Sequence, residues 1–166
     1  MSHRKAFEMS SAKMNSSKQQ FETFAFPLEV DDGWPPCAVE SLPIQKVPNG
    51  YMVLTPPLFV KELSVNDIIE VRLQTGSQVV ESWRHVIRST HTTIWLLRMH
   101  CTTTIDTVLA KLRTIGCTTV ALDQFGAYSI DVPEAISIST IDTILEELDG
   151  DSVAIAFPAL RHPDDS

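Results

Sequence analysis

The chain is poor in the residues that most short functional motifs need. It has three cysteines, Cys37, Cys101 and Cys117, an odd number at wide spacing, so a disulfide framework is not expected and a reducing cytoplasm is the simplest setting. Its six glycines form no G-x-G-x-x-G and no Gly-Lys-Ser/Thr turn, which removes the usual phosphate-cradling loops. No serine is followed by the glycine of a nucleophile elbow. No apolar run nears the roughly 18 residues of a membrane-spanning helix, so no membrane association is expected. Of the histidines His3, His85, His91, His100 and His162, only His100 adjoins another ligand type, Cys101, and neither H-x-x-x-H nor C-x-x-C spacing occurs. Cys117 follows a glycine placed to cap a helix and opens a strand, the position of an ordinary buried thiol. The expectation is no catalytic constellation, no metal and no cofactor.

Base is also scarce where it would matter for phosphate. Arg4, Lys5, Lys13 and Lys18 give the first 20 residues +3 against Glu8, so the remainder of this −8 chain carries −11. After Arg113 there are ten acids and one base, Arg161. Such a segment repels a nucleic-acid backbone and attracts a basic protein. An apolar fraction of 43% in 166 residues, with a mean hydropathy of +0.03, fits a soluble globular chain with a core of its own.

Residues 1–20 read as a flexible polar tail without the apolar block of a secretory signal. From Phe21 the period is two. "FETFAFPLEV" puts Phe24 and Phe26 on one face, "CAVESLPIQKV" and "GYMVLTPPLFV" join at Asn49-Gly50, and "NDIIEVRLQ" and "QVVESWRHVIRS" flank "TGS". These predict a small barrel-like sheet over residues 21–90. After residues 88–93 the texture changes. "TTIWLLRMH" is a strand, and Ile105, Val108, Leu109, Leu112 and Ile115 form one helical stripe that Gly116 would cap. "CTTVALDQ" and "AYSIDVP" are strands. Ile141, Ile144, Leu145 and Leu148 form a second stripe with Ser139 or Thr140 as cap and Gly150 as terminator, and "SVAIAFPAL" is a last strand. The order β-α-β-β-α-β over 91–161 predicts a ferredoxin-like half, with 162–166 as a short tail, and the whole is of α+β class.

Chemistry-bearing residues are few. In "DDGWPPCAVESL", Asp31-Asp32-Gly33 is turn chemistry, and Trp34, held extended by the prolines after it, either closes one end of the sheet or stands out as an anchor for a partner. Glu40, Lys61 and Asp67 are charges inside apolar stretches and, with His91, form a candidate buried polar cluster in which Glu40 and Lys61 pair. Asp142, Glu146, Glu147, Asp149 and Asp151 crowd the end of the last helix against its dipole, a cost that docking of a basic partner would offset. Arg72, Arg84, Arg88 and Arg98 gather around the middle strands as a modest basic strip.

The string "DDGWPPCAVESL", the later "PPLFVKELSVNDIIEV", "STHTT" before a strand and a late "YSIDVP" occur in this order from about Phe24 to Val153. They resemble a bacterial family of domains of unknown function, with D-G-W-P-P, E-S-L, P-F-F-V-K and D-V-P motifs. Gly33-Trp34-Pro35-Pro36, Glu40-Ser41-Leu42 and Phe59-Val60-Lys61 with Asp67 carry the likeness, while Leu58 stands for the first aromatic and Thr90 for the usual glycine. The resemblance implies a fold and no established activity, and favours interaction or immunity over housekeeping catalysis.

The reading that follows is a non-enzymatic protein-binding module, most concretely an immunity or antitoxin protein that covers a basic toxin. Its partner-binding residues would be Asp142, Glu146, Glu147, Asp149, Asp151 and Trp34. Two alternatives stand beside it: a nucleic-acid- or ribosome-associated module using the arginine strip, or an enzyme using Glu40, Lys61 and His91.

Overall fold

The computed structural model describes residues 21–163; the predicted tail 1–20 and residues 164–166 lie outside it. Among these residues nine strands form two antiparallel sheets, accompanied by two α-helices. In the first, β1 (Phe21–Pro27), β2 (Val39–Val47), β3 (Gly50–Val53), β4 (Ile68–Leu73) and β5 (Val80–Ile87) lie side by side in chain order. β1 meets the residues just before β5 at one isolated bridge, Ala25 with Val79, with Ala25 N–H donating to the Gln78 carbonyl at 2.9 Å; the sheet is not a closed barrel. The second sheet has β6 (Thr92–Arg98), β7 (Thr118–Leu122), β8 (Ala127–Val132) and β9 (Val153–Ala159) in the order β7-β8-β6-β9. Helices α1 (Thr104–Thr114) and α2 (Ile138–Leu145) fall between its strands in sequence.

Period-two patterning sets the first core. Phe24 and Phe26 face inward from β1, Leu42 and Ile44 from β2, Ile69 from β4 and Val80 from β5. Gly50 begins β3 because a Cβ there would stand 2.5 Å from the Ile69 carbonyl oxygen, and its φ of 151° suits only glycine. In the second half, Ile94, Leu96, Tyr128, Ile130 and Val132 present one sheet face to Ile105, Val108 and Leu112 of α1 and Ile141 and Leu145 of α2. Both helices therefore cover one side of that sheet and leave the other side free for the first half of the chain.

Three expected elements differ. The strand read over "GYMVLTPPLFV" stops at Val53, since Pro56 and Pro57 have no N–H and the N–H groups of Leu58, Phe59 and Val60 turn to the Glu40 carboxylate instead of a ladder. Helix α2 is capped by Ser137, whose hydroxyl accepts from Thr140 N–H, not by Ser139 or Thr140. It also ends at Leu145, before Gly150, in a tight turn where Glu147 N–H and Leu148 N–H reach back three residues. His162, expected in a tail, is pinned: its Nε2 donates to the Pro133 carbonyl at 3.0 Å, and Thr92 Oγ1 lies 2.6 Å from its Nδ1.

Candidate functional site

The segment 54–67 runs between the two sheets without a strand or helix of its own. Glu40 organises its first part. Its Oε2 accepts from Leu58 N–H at 2.6 Å, and its Oε1 accepts from Phe59 and Val60 N–H at 2.9 and 3.0 Å. Burial pushes the Glu40 carboxyl above its ordinary range, partly countered by those three donors. The same segment holds the second sheet. The Pro57 carbonyl accepts from Trp95 Nε1 and from Ser129 Oγ, both at 2.7 Å, and Ser64 Oγ meets Thr93 Oγ1 at 2.7 Å.

Asp67 closes the segment and is wholly buried. Its Oδ1 accepts from Ser89 N–H at 2.7 Å and Arg161 Nη1 at 2.9 Å, and its Oδ2 from Ser64 N–H, His85 Nε2 and Arg161 Nη2 at 2.9, 3.0 and 3.0 Å. Arg161 leaves the end of β9 and thereby latches the second half to the first. It also donates to the Ser89 and Glu62 carbonyls at 2.8 and 3.2 Å. Burial alone would raise the Asp67 carboxyl. The hydrogen bonds from Arg161, Ser89 and Ser64 and the guanidinium charge outweigh it and hold the group below its ordinary range. Beside this latch, His91 Nδ1 donates to Asp131 Oδ1 at 2.8 Å, and its Nε2 stands 3.3 Å from Asn66 Nδ2. Burial pushes the Asp131 carboxyl up, opposed by His91 and Thr118.

Around the ordered segment the halves leave an open cleft of about 920 Å³. Its floor is the helix-free face of the second sheet, where Trp95 lies in register with Ala156 and Ser129, and Leu97 with Ala154 and Ala127. Its walls are Phe26 to Leu28 of the first sheet, Val80 to Trp83, and Leu58 to Lys61. All three tryptophans of the chain, Trp34, Trp83 and Trp95, line it. Trp34 is presented by a two-residue reverse turn: Asp32 and Gly33 have φ of 49° and 74°, and Asp31 and Trp34 exchange N–H···O bonds of 2.9 and 3.0 Å. Its ring meets Phe59 edge-on at 5.7 Å, yet the residue remains 43% exposed. Glu29, Asp31 and Glu81 supply negative charge to the lining, and among the described residues Lys61 is the one cation in it.

The four residues expected in one polar cluster divide among separate partners. Glu40 binds backbone N–H groups, Asp67 binds Arg161 and His85, and His91 binds Asp131. Lys61 is exposed, so the expected Glu40–Lys61 pair is replaced: three N–H donors already fill the carboxylate that Lys61 would need. The five acids from Asp142 to Asp151 are exposed, on the helix-covered side of the second sheet, away from Trp34 and the cleft. Two of them have internal uses. Glu147 pairs with Lys111 at 2.6 Å, and Asp149 caps its own turn by accepting from Asp151 N–H and Ser152 Oγ. The arginine strip is broken as well: Arg84 pairs with Glu70 in the first sheet, whereas Arg98 in the second donates to Tyr128 Oη and the Asp123 carbonyl. No sequence motif assigns a site role to Arg161, His85, Asp131, Trp83 or Trp95. For Arg161 a signal existed, since it is the single base after Arg113. Among the described residues no group of three His, Cys, Asp or Glu side chains is placed to hold a metal ion, and no helix is long and apolar enough to cross a membrane.

Two antiparallel sheets latched through a buried carboxylate, with an aromatic cleft between them, define an α+β protein with a ligand-sized opening. The chain belongs to the family described as a domain of unknown function (DUF4265), whose model matches residues 40–155. That span holds Glu40, Asp67, Trp83, Trp95 and Asp131, and leaves Trp34 and Arg161 outside. The fold is similar to that of a hypothetical protein from Neisseria gonorrhoeae, with a TM-score of 0.66 and 17% identity over 87% of this chain and 98% of that one. No curated protein matches the sequence.

Proposed function

We propose that the chain is a non-enzymatic binding protein whose receptor surface is the cleft between its halves, and that its partner is a basic protein. The observation that carries this reading is where the titratable groups are spent. Glu40, Asp67 and the His91–Asp131 pair each hold structure through bonds of 2.6 to 3.0 Å, while the cleft is lined by aromatic and alkyl groups with carboxylates beside them. General acid–base chemistry needs a group of shifted pKa directed at one substrate atom. Shape and charge recognition needs an aromatic surface and a charged border, which this cleft offers. The most concrete form is an immunity or antitoxin protein that covers a basic bacterial toxin, acting in a reducing cytoplasm where Cys37, Cys101 and Cys117 remain free thiols.

We also read the second half as ferredoxin-like, which the order β7-β8-β6-β9 under two same-side helices supports, and the first as an open barrel-like sheet, which the Ala25–Val79 bridge supports.

The test is capture of partners from source-organism lysate by the tagged full chain, followed by titration calorimetry of each purified candidate at physiological salt. A basic protein binding with a Kd below about 1 µM is the expected result. Failure to find any protein that binds this tightly refutes the reading.

A further inference from the structure

The contents of the cleft are more specific than its size. The floor positions nearest Trp95 and Leu97 are Ala127, Ala154 and Ala156, small residues that leave depth over the sheet. The indole N–H of Trp95 is already donated to the Pro57 carbonyl, so an occupant meets its ring and not its polar edge. Trp34 stands on a doubly hydrogen-bonded turn, which fixes the backbone under a partly exposed ring. Among the described charged side chains of the lining, Glu29, Asp31 and Glu81 outnumber Lys61. An apolar, π-rich hollow with an acid surplus disfavours carboxylates and phosphates. It favours a cation carried on an alkyl stem, which can lie against an indole face while its charge reaches a carboxylate. β9, which supplies Ala154 and Ala156, is an outer strand with no strand paired beyond it among the described residues; Glu62 N–H already donates to the Pro158 carbonyl at 3.1 Å, and the edge before Pro158 suits an extended backbone.

We propose that the cleft receives an extended segment of the partner in which arginine or lysine alternates with apolar side chains, Trp34 and the acids Glu29, Asp31 and Glu81 recognising the cation. The inference rests on the protein-binding reading and names the chemistry of what is bound. It moves the interface from the acids Asp142 to Asp151, on the opposite side of the second sheet, to the cleft.

The test uses the full chain and terminally blocked pentapeptides read by tryptophan fluorescence at physiological salt: Leu-Arg-Leu-Arg-Leu, its citrulline analogue, which keeps the shape and loses the charge, and its glutamate analogue. Saturable binding of the arginine peptide is expected, with the citrulline peptide weaker by about threefold to thirtyfold and no saturable binding of the glutamate peptide. Trp34→Ala and the double variant Asp31→Asn/Glu81→Gln are each expected to weaken the arginine peptide by a similar factor. Trp34→Phe should retain most of the binding, and Asp142→Asn/Glu146→Gln should leave it unchanged. Equal binding of the three peptides, or none of the arginine peptide up to about 1 mM, overturns the inference. So does a captured protein partner that is lost on Asp142→Asn/Glu146→Gln and kept on Trp34→Ala, although that result preserves the protein-binding reading. Arginine-selective peptide binding with no protein partner captured has the opposite meaning: the cleft's preference stands and the protein-binding reading falls.

Discussion

Removal of the Arg161 guanidinium is expected to loosen the two halves of the molecule. In the native protein this group makes two hydrogen bonds to Asp67 at 2.9 and 3.0 Å and two to the carbonyls of Ser89 and Glu62 at 2.8 and 3.2 Å. Its side chain is 13% exposed and that of Asp67 is fully buried, so solvent screens the pair little. Breaking a buried pair by deleting one partner costs about 3–5 kcal/mol, because the other charge stays behind. Here Asp67 keeps Ser64 N–H, Ser89 N–H and His85 Nε2, which places Arg161→Ala near the lower end, about 3 kcal/mol. Against the roughly 5–15 kcal/mol of a typical domain that is a large share. With a urea m-value of about 2 kcal/mol/M it moves the midpoint by about 1.5 M.

The pH dependence separates the latch from mere loss of packing. The folded Asp67 carboxyl lies below its ordinary range, with Arg161 the chief opponent of its burial. A folded pKa below the unfolded one gives stability that is complete above about pH 4 and disappears as pH falls through the folded value. Arg161→Ala weakens that contribution, so wild type and variant should differ most at pH 7 and converge toward pH 3. Urea titrations followed by tryptophan fluorescence and by circular dichroism at both values make the measurement. A difference below about 0.5 kcal/mol at pH 7, or one that is the same at pH 3, refutes the argument.

Glu40→Gln leaves one carbonyl oxygen for three N–H donors and turns an amide N–H₂ toward one of them. It should cost about 1–3 kcal/mol in thermal melts, with little change for a variant at exposed Lys61. With dithionitrobenzoate near pH 8, exposed Cys101 should react first. Cys37 should follow, slowed by burial and the Glu40 charge, and Cys117, pushed up to about 12 by burial and then Asp131, should react only on unfolding; early loss of Cys117 would contradict its placement. Gly50→Ala drives a methyl into the Ile69 carbonyl across the β3–β4 ladder and should lower the urea midpoint by the equivalent of about 1–3 kcal/mol. An unchanged midpoint would mean that the two strands are not so closely apposed.

What the sequence discloses and what it conceals divide along the range of the interaction involved. The stripe of Ile105, Val108 and Leu112 and the alternation of Phe24 and Phe26 are local periodicities, and each marks a buried face. Glu40 and Asp67 were visible as charges among apolar neighbours, but their partners were not. A sequence displays side-chain charges, so it offers Lys61 as the mate for Glu40, whereas the actual donors are three backbone N–H groups that no residue type advertises. The same bonds explain why an apolar run after Val53 fails as a strand: its N–H groups have a better acceptor than a neighbouring ladder. Asp67 and Arg161 stand 94 positions apart, and the three tryptophans fall in β5, in β6 and in the turn after β1. No spacing rule relates them, because only the packing of two separately patterned sheets brings them together. The buried charges are then fully committed to that packing, since no buried side-chain nitrogen or oxygen among the described residues lacks a partner. What stays uncommitted is the aromatic cleft between the two sheets, whose lining includes none of Glu40, Asp67, Asp131 and Arg161.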